Sequence, residues 1–246
     1  MNPGIFGFPS PAVLGSDNTT TVSSGDKLLR ITTFNSSGNW TKLSDVKYVI
    51  VWLLGGGGGA GGANGGVENA PSGGSGSGGG GCIKIIYAAF LLPIEVVTIG
   101  MGGIGGNNTP NFGANGGTSS FGAHCSATGG EGGFPITGTT TVGGGSTKGG
   151  IGVGGDINFR GQAGSPPMGH YGSYSKSFPG GCGAYPLGGG GAPSVLGTHT
   201  NSYDGISAEN NTGGGGSGGA CLYNTPTNKT SGGNGGSGKC VVWEFG

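Results

Sequence analysis

The sequence predicts a mainly β protein with almost no α-helix, a small β-sandwich or hairpin region running on into a sandwich of polyglycine-II helices. Three observations lead there. Glycine supplies 68 of 246 residues, and it comes in short runs of the form Gly-Gly-x. Hydrophobic residues reach 32%, yet they collect in strand-like stretches and not at helical spacing. Only 8% of residues are charged and the formal net charge is zero, whereas disordered chains combine low hydrophobicity with high net charge. The chain is therefore expected to fold, with too few large side chains to fill an ordinary interior.

The elements follow in order. Residues 1–33 are expected to form an arm, Pro-rich and apolar to Leu14, then rich in Thr and Ser. Ile5, Phe6, Phe8, Val13 and Leu14 lie among Pro and Gly with no helical or strand period. Such a segment cannot build its own core, so these five are the candidate attachment residues. Residues 34–246 are expected to form the domain proper. Strands are expected within 28–54, and the stretch 46–54 (Val-Lys-Tyr-Val-Ile-Val-Trp-Leu-Leu) is apolar on both alternating faces. That pattern suits a strand buried on both sides and suggests subunit contacts. Residues 82–87 and 95–99 are expected as a second pair with a turn near Pro93. Residues 118–128 have the look of a short hairpin. The last strand, within 239–245, is expected to pair with the first and close the domain.

Between the strands lie the glycine runs. Each Gly costs a helix roughly 1 kcal/mol, and no helical period is present. Collagen needs a strict Gly-X-Y repeat with abundant Pro, and here the repeat breaks often and Pro is only 13 residues. The ordered option left is a polyproline-II-like helix with three residues per turn. A Gly-Gly-x repeat leaves two of its three faces bare. Neighbouring helices can then exchange N–H···O=C bonds, which answers where the backbone donors go. Close Cα–H···O contacts add about 0.5–1 kcal/mol each. The core would be stacked backbone, with position x facing outward or filling the edge.

Charge and motifs exclude several functions. Ten basic residues balance ten acidic ones with no basic stripe, so nucleic acid is not an expected partner. No apolar stretch approaches the ~18 residues of a membrane helix. The first residues lack the basic region of a signal peptide, so the protein is expected to be made in a cytoplasm. The five cysteines (82, 125, 182, 221 and 240) include no Cys-x-x-Cys pair, which favours buried small hydrophobes over disulfides or a zinc site. Gly215-Gly216-Ser217-Gly218-Gly219 fits Gly-x-Ser-x-Gly but lacks the strand-to-helix setting. Gly238-Lys239 is followed by Cys240, which fails the phosphate-loop pattern. His124, His170 and His199 stand apart with no ligand spacing. No enzyme, cofactor or metal is expected.

Binding has better support. Many aromatics fall between the glycine runs, and rigid scaffolds commonly carry function on loops. Tyr with Ser, Gly and Asn gives large contact area at low entropy cost. The candidate contact residues are Phe112, Tyr171, Tyr174, Tyr185, Tyr203 and Tyr223. The competing reading is that these aromatics only cap the ends of the glycine sandwich. Counting one pass per run puts loops 67–72, 107–112, 134–142, 184–187 and 221–231 at the end away from the strands. The long loops 156–179 and 192–212 then fall at the strand end or on the flank.

Several motifs are familiar in this order. Phe34-Asn35-Ser36-Ser37-Gly38-Asn39-Trp40-Thr41 precedes the hydrophobic strand into Gly55–Gly59. Val96-Val97-Thr98-Ile99-Gly100-Met101-Gly102-Gly103, Asn115-Gly116-Gly117-Thr118-Ser119-Ser120-Phe121-Gly122 and Ser126-Ala127-Thr128-Gly129-Gly130 follow, and Val241-Val242-Trp243-Glu244 ends the series. From about residue 30 to 245 the chain resembles the glycine-rich tip domains of bacteriophage tail fibres and baseplates, including the tail-fibre adhesins of T-even-like phages. The resemblance implies a polyglycine-II sandwich whose loops contact a bacterial outer-surface protein or glycan, on a virion component. The arm lies outside this resemblance; from its own composition it is expected to join other tail or baseplate proteins, and a homotrimer is one arrangement. A baseplate or fibre component without receptor contact is the alternative function, and an ice-binding protein the third.

Overall fold

The computed structural model describes residues 25–66, 70–107, 111–137, 145–170, 175–184, 186–197, 201–222 and 227–246. The five arm residues Ile5, Phe6, Phe8, Val13 and Leu14 lie outside them. The described residues are nearly all β with one 3-10 turn, Ala88–Phe90, as the composition predicts.

Two five-stranded sheets pack face to face. In the first, the order is Leu28–Phe34, Lys239–Phe245, Tyr48–Leu54, Gly81–Tyr87 and Ile157–Phe159, all antiparallel. In the second it is Gly152–Val153, Cys125–Ala127, Ser119–Phe121, Ile94–Thr98 and Gly38–Thr41. The first and last strands pair as expected, and the 118–128 hairpin forms. Residues 28–33 thus belong to the sheet.

Period-two alternation decides the core. Val49, Val51 and Leu53 of one sheet face Trp40, Val97 and Phe121 of the other, all buried. Two expectations change. Residues 82–87 and 95–99 do not pair with each other. The 3-10 turn and Pro93 carry the chain across, so these strands lie in opposite sheets. Within the 46–54 stretch the inner face, Val49, Val51 and Leu53, is fully buried; on the outer face Tyr48 and Leu54 are buried but Ile50 and Trp52, between them, are only partly buried.

Past the sheets the glycine runs build an array held by backbone hydrogen bonds. Along 55–62 the N–H donors rotate with period three. Gly55, Gly58 and Gly61 donate to 74–80; Gly56, Gly59 and Gly62 to 111–117; Gly57 and Ala60 to 233–236, at 2.8–3.2 Å. Its carbonyls accept from 130–136, 103–106 and Gly216. A three-residue turn has three donor and three acceptor directions, so this run is enclosed by six others. That is the packing expected of polyglycine II.

Two further runs are enclosed in the same way. Run 73–80 bonds to 55–62, 128–134, 147–150, 162–165, 181–184 and 213–219; Ser75, whose carbonyl takes the Thr147 hydroxyl, extends the contact with 147–150. Run 213–219 bonds to 55–62, to 73–80, to Gly181, to Ala192, to Ile206 and to 233–237. The three enclosed runs contain only Gly, Ala and Ser, because any larger side chain would meet a neighbouring backbone.

The surrounding runs have an open side, and there position x points outward as expected. Ile104 and Met101 are 72% and 77% exposed, while Glu131 and Asn234 are exposed too. Ser75, Ser77 and Ser217 are fully buried in the enclosed runs. Their hydroxyls take up backbone groups: Ser77 Oγ donates to the carbonyls of Glu131 and Lys148, and Ser75 and Ser217 accept from the N–H of Ser165 and Ile206.

All five cysteines are free thiols. Cys82, Cys125, Cys221 and Cys240 are buried, in keeping with their reading as small hydrophobes, and Cys182 is exposed. Burial pushes the thiols of Cys221 and Cys240 up; a hydrogen bond to Cys82, then burial, pushes up that of Cys125. Thiolate is the reactive form. The hydrogen bond with Cys125 lowers the Cys82 thiol, but Cys82 is wholly buried, so a maleimide is expected to label Cys182 alone in the native protein and all five thiols after denaturation. Rapid native labelling at a second cysteine, read by mass spectrometry of peptides, would contradict this packing.

Candidate functional site

The array has two ends. The sheet end is where runs leave Leu54, Thr98 and Ala127 and enter Gly81, Ser119 and Lys239. The far end is where runs turn back, and short strands tie those turns together. Ala63–Asn64 pairs with Ile136–Thr137 and with Lys229–Thr230. Ala70–Ser72 pairs with Met168–His170, and Ser175–Lys176 with Leu196–Gly197. A small buried cluster of Ala63, Ile136 and Cys221 sits beneath them. Among the described residues, the run ends that flank these turns are thus tied to one another by backbone hydrogen bonds.

Two predicted contact residues stand on this end among the described residues. Phe112 is 61% exposed and meets Phe134 edge-on, with ring centroids 5.3 Å apart. Tyr203 is 45% exposed. Its backbone exchanges two hydrogen bonds with Ala220, at 3.0 and 2.9 Å. On either side, Ser202 Oγ accepts the Leu222 N–H and Asp204 Oδ1 accepts the Ser231 N–H, each at 2.7 Å. Tyr203 is therefore presented from a pinned backbone with its side chain in solvent. Tyr171, Tyr174, Tyr185 and Tyr223 lie outside the described residues.

The expected loop directions need correcting. Ala184 donates to the Gly79 carbonyl, beside the strand that starts at Gly81, so the 184–187 turn begins at the sheet end. The stretch 156–179 is not one loop. It holds the sandwich strand Ile157–Phe159, the run 161–165, and a far-end turn that includes Met168–His170. Arg160 is bound into the array by donating to the Gly149 carbonyl at 3.1 Å. The stretch 192–212 likewise hides the run 205–208, so Tyr203 falls at the far end and not at the strand end or flank. Both hidden runs are on the periphery, where ordinary residues fit.

The reading by loops missed exposed apolar side chains on the flank. Met101 and Ile104 stand three residues apart on the open side of 100–106. Their spacing in Met-Gly-Gly-Ile-Gly-Gly is the signal that could have found them. His124 is not isolated: its Nε2 lies 2.9 Å from Oε1 of the buried Glu95, which also accepts the Leu92 N–H. The pair ties the turn after Phe121 to the turn after the 3-10 helix. Among the described residues there is no group of three or more His, Cys, Asp or Glu that could hold a metal ion.

Residues 32–243 match the sequence model of a family described as a glycine-rich domain. No curated protein matches the chain.

Proposed function

We propose that the chain, which belongs to this glycine-rich domain family, is a binding protein of a bacteriophage tail tip or tail fibre, and not an enzyme. The far-end turns contact a bacterial outer-surface protein or glycan. The sheet end, with the segment that precedes it, joins the rest of the virion. The observation that carries the reading is Tyr203, exposed on a backbone pinned on both sides, with Phe112 exposed on the same end of the array. A rigid aromatic costs little entropy to immobilise on binding. The resemblance of the motifs from Phe34 to Glu244 to phage tip domains supplies the partner class.

Cys182, away from the far end, allows a fluorophore to be attached without touching these residues. Labelled protein, added to a panel of bacterial strains and counted by flow cytometry, is expected to bind a subset of them. Phe112→Ala with Tyr203→Ala is expected to weaken that binding by at least ~10-fold, about 1.4 kcal/mol, as for loss of an interface anchor. Binding to no strain, or undiminished binding by the double variant, would refute the reading. The structural alternative, a fibre or baseplate part without receptor contact, draws on one observation: the first sheet leaves its outer face apolar.

A further inference from the structure

That outer face carries no described element. Ile31, Trp243, Ile50 and Ile85 stand side by side across four strands. Trp52 lies against Trp243, with ring centroids 5.7 Å apart. Nearer the sheet's base, Tyr48 stacks on Phe245 at 4.9 Å. Two donors on this face, Trp243 Nε1 and the Tyr48 hydroxyl, are occluded and make no hydrogen bond. Buried Tyr and Trp side chains usually find an acceptor.

The face therefore suits an occupant that is apolar, uncharged and offers carbonyls. An aromatic surface with indole and phenol donors is how proteins hold Pro-rich extended segments, whose backbone carbonyls have no internal partners. The chain carries such a segment. Residues 3–14 contain Pro3, Pro9 and Pro11 together with Ile5, Phe6, Phe8, Val13 and Leu14, and no charged residue. A polar stretch, 15–24, joins it to Gly25, close to the edge strand Leu28–Phe34 of this same sheet. Ten extended residues reach about 33 Å, whereas five strands about 4.8 Å apart span roughly 20 Å. Tethering also keeps the segment at an effective concentration on the order of millimolar.

We propose that residues 3–14 fold back on the outer face of their own sheet and cover Trp52 and Trp243. The arm then completes the sheet and presents its remaining surface to the virion, in place of hanging free as a hook. This does not depend on what the far end binds.

The test uses the full chain with Phe6→Ser and Phe8→Ser. Of the three tryptophans, Trp40 is in the core and 1% exposed, so it serves as a silent reference. Tryptophan emission of the variant is expected to shift to the red and become more quenchable by acrylamide, at every protein concentration. A single native reactive thiol in the variant checks that the fold is retained. Unchanged emission and quenching would overturn the proposal. So would wild-type protection that appears only with concentration-dependent oligomers, because the face would then be covered by another copy. Neither readout involves a host cell, so failure here is separate from failure of the binding function.

Discussion

Gly76→Ala is expected to destabilise the protein by about 3 kcal/mol, the upper end of the usual overpacking cost, read as a lower denaturant midpoint, although Ala ordinarily stiffens the unfolded chain and adds about 0.4–1 kcal/mol. The three enclosed runs meet at this level: Gly76 donates to the Gly216 carbonyl and Gly216 to that of Gly58, each at 3.0 Å. A Cβ on Gly76 would meet the Gly58 carbonyl oxygen well inside contact distance. That obstacle is backbone with six-sided support, so it cannot rotate away as a side chain would. The runs must separate, and the hydrogen bonds between them lengthen together. Gly190→Ala is the control. Nothing lies within 4 Å of its added Cβ, so it is expected to be neutral or slightly stabilising. Equal effects of the two substitutions would mean that close backbone approach is not what holds the array.

Arg30→Ala should cost about 3 kcal/mol, the low end for breaking a buried ion pair, because Arg30 is itself partly exposed. Glu244 is fully buried between the sheets. It accepts from Arg30 Nε at 2.5 Å and Nη2 at 2.9 Å, and from Trp40 Nε1 of the opposite sheet at 3.1 Å. Removing Arg30 leaves a carboxylate in the core with only neutral donors. Glu244→Gln is expected to cost less, about 1 kcal/mol, because an amide oxygen can still accept from Trp40. In the double variant Arg30→Ala with Glu244→Gln most of the Arg30 penalty should vanish, since no buried charge remains. Strict additivity of the two losses, measured by urea unfolding, would show that the pair is not coupled.

The strands were legible because runs of β-branched and aromatic residues are local. Which face of 46–54 turns inward was not, because both faces read as apolar and only the opposite sheet selects Val49, Val51 and Leu53. Nor were all strand partners: residues 82–87 and 95–99 are neighbours in sequence, yet a 3-10 turn and Pro93 send them to opposite sheets. At the far end, Phe112 was legible as a bulky residue between glycine runs. The position of Tyr203 was not, because 205–208 carries ordinary residues and does not look like a run.

The sequence by itself determined which runs can be central. Only 55–62, 73–80 and 213–219 run for seven residues or more with nothing larger than Ser, and a helix enclosed on six sides admits nothing larger. It also determined that x in Gly-Gly-x would face out, since the other two faces are needed for neighbours. Which runs touch, and which end each turn occupies, only the tertiary structure decided. Those depend on hydrogen bonds between backbones that are chemically identical from run to run, so no local pattern can distinguish one partner from another. For the same reason 161–165 and 205–208 became runs. On the periphery one side is open to water, and residues as large as Gln162 or Ile206 can complete a pass that their own sequence does not announce.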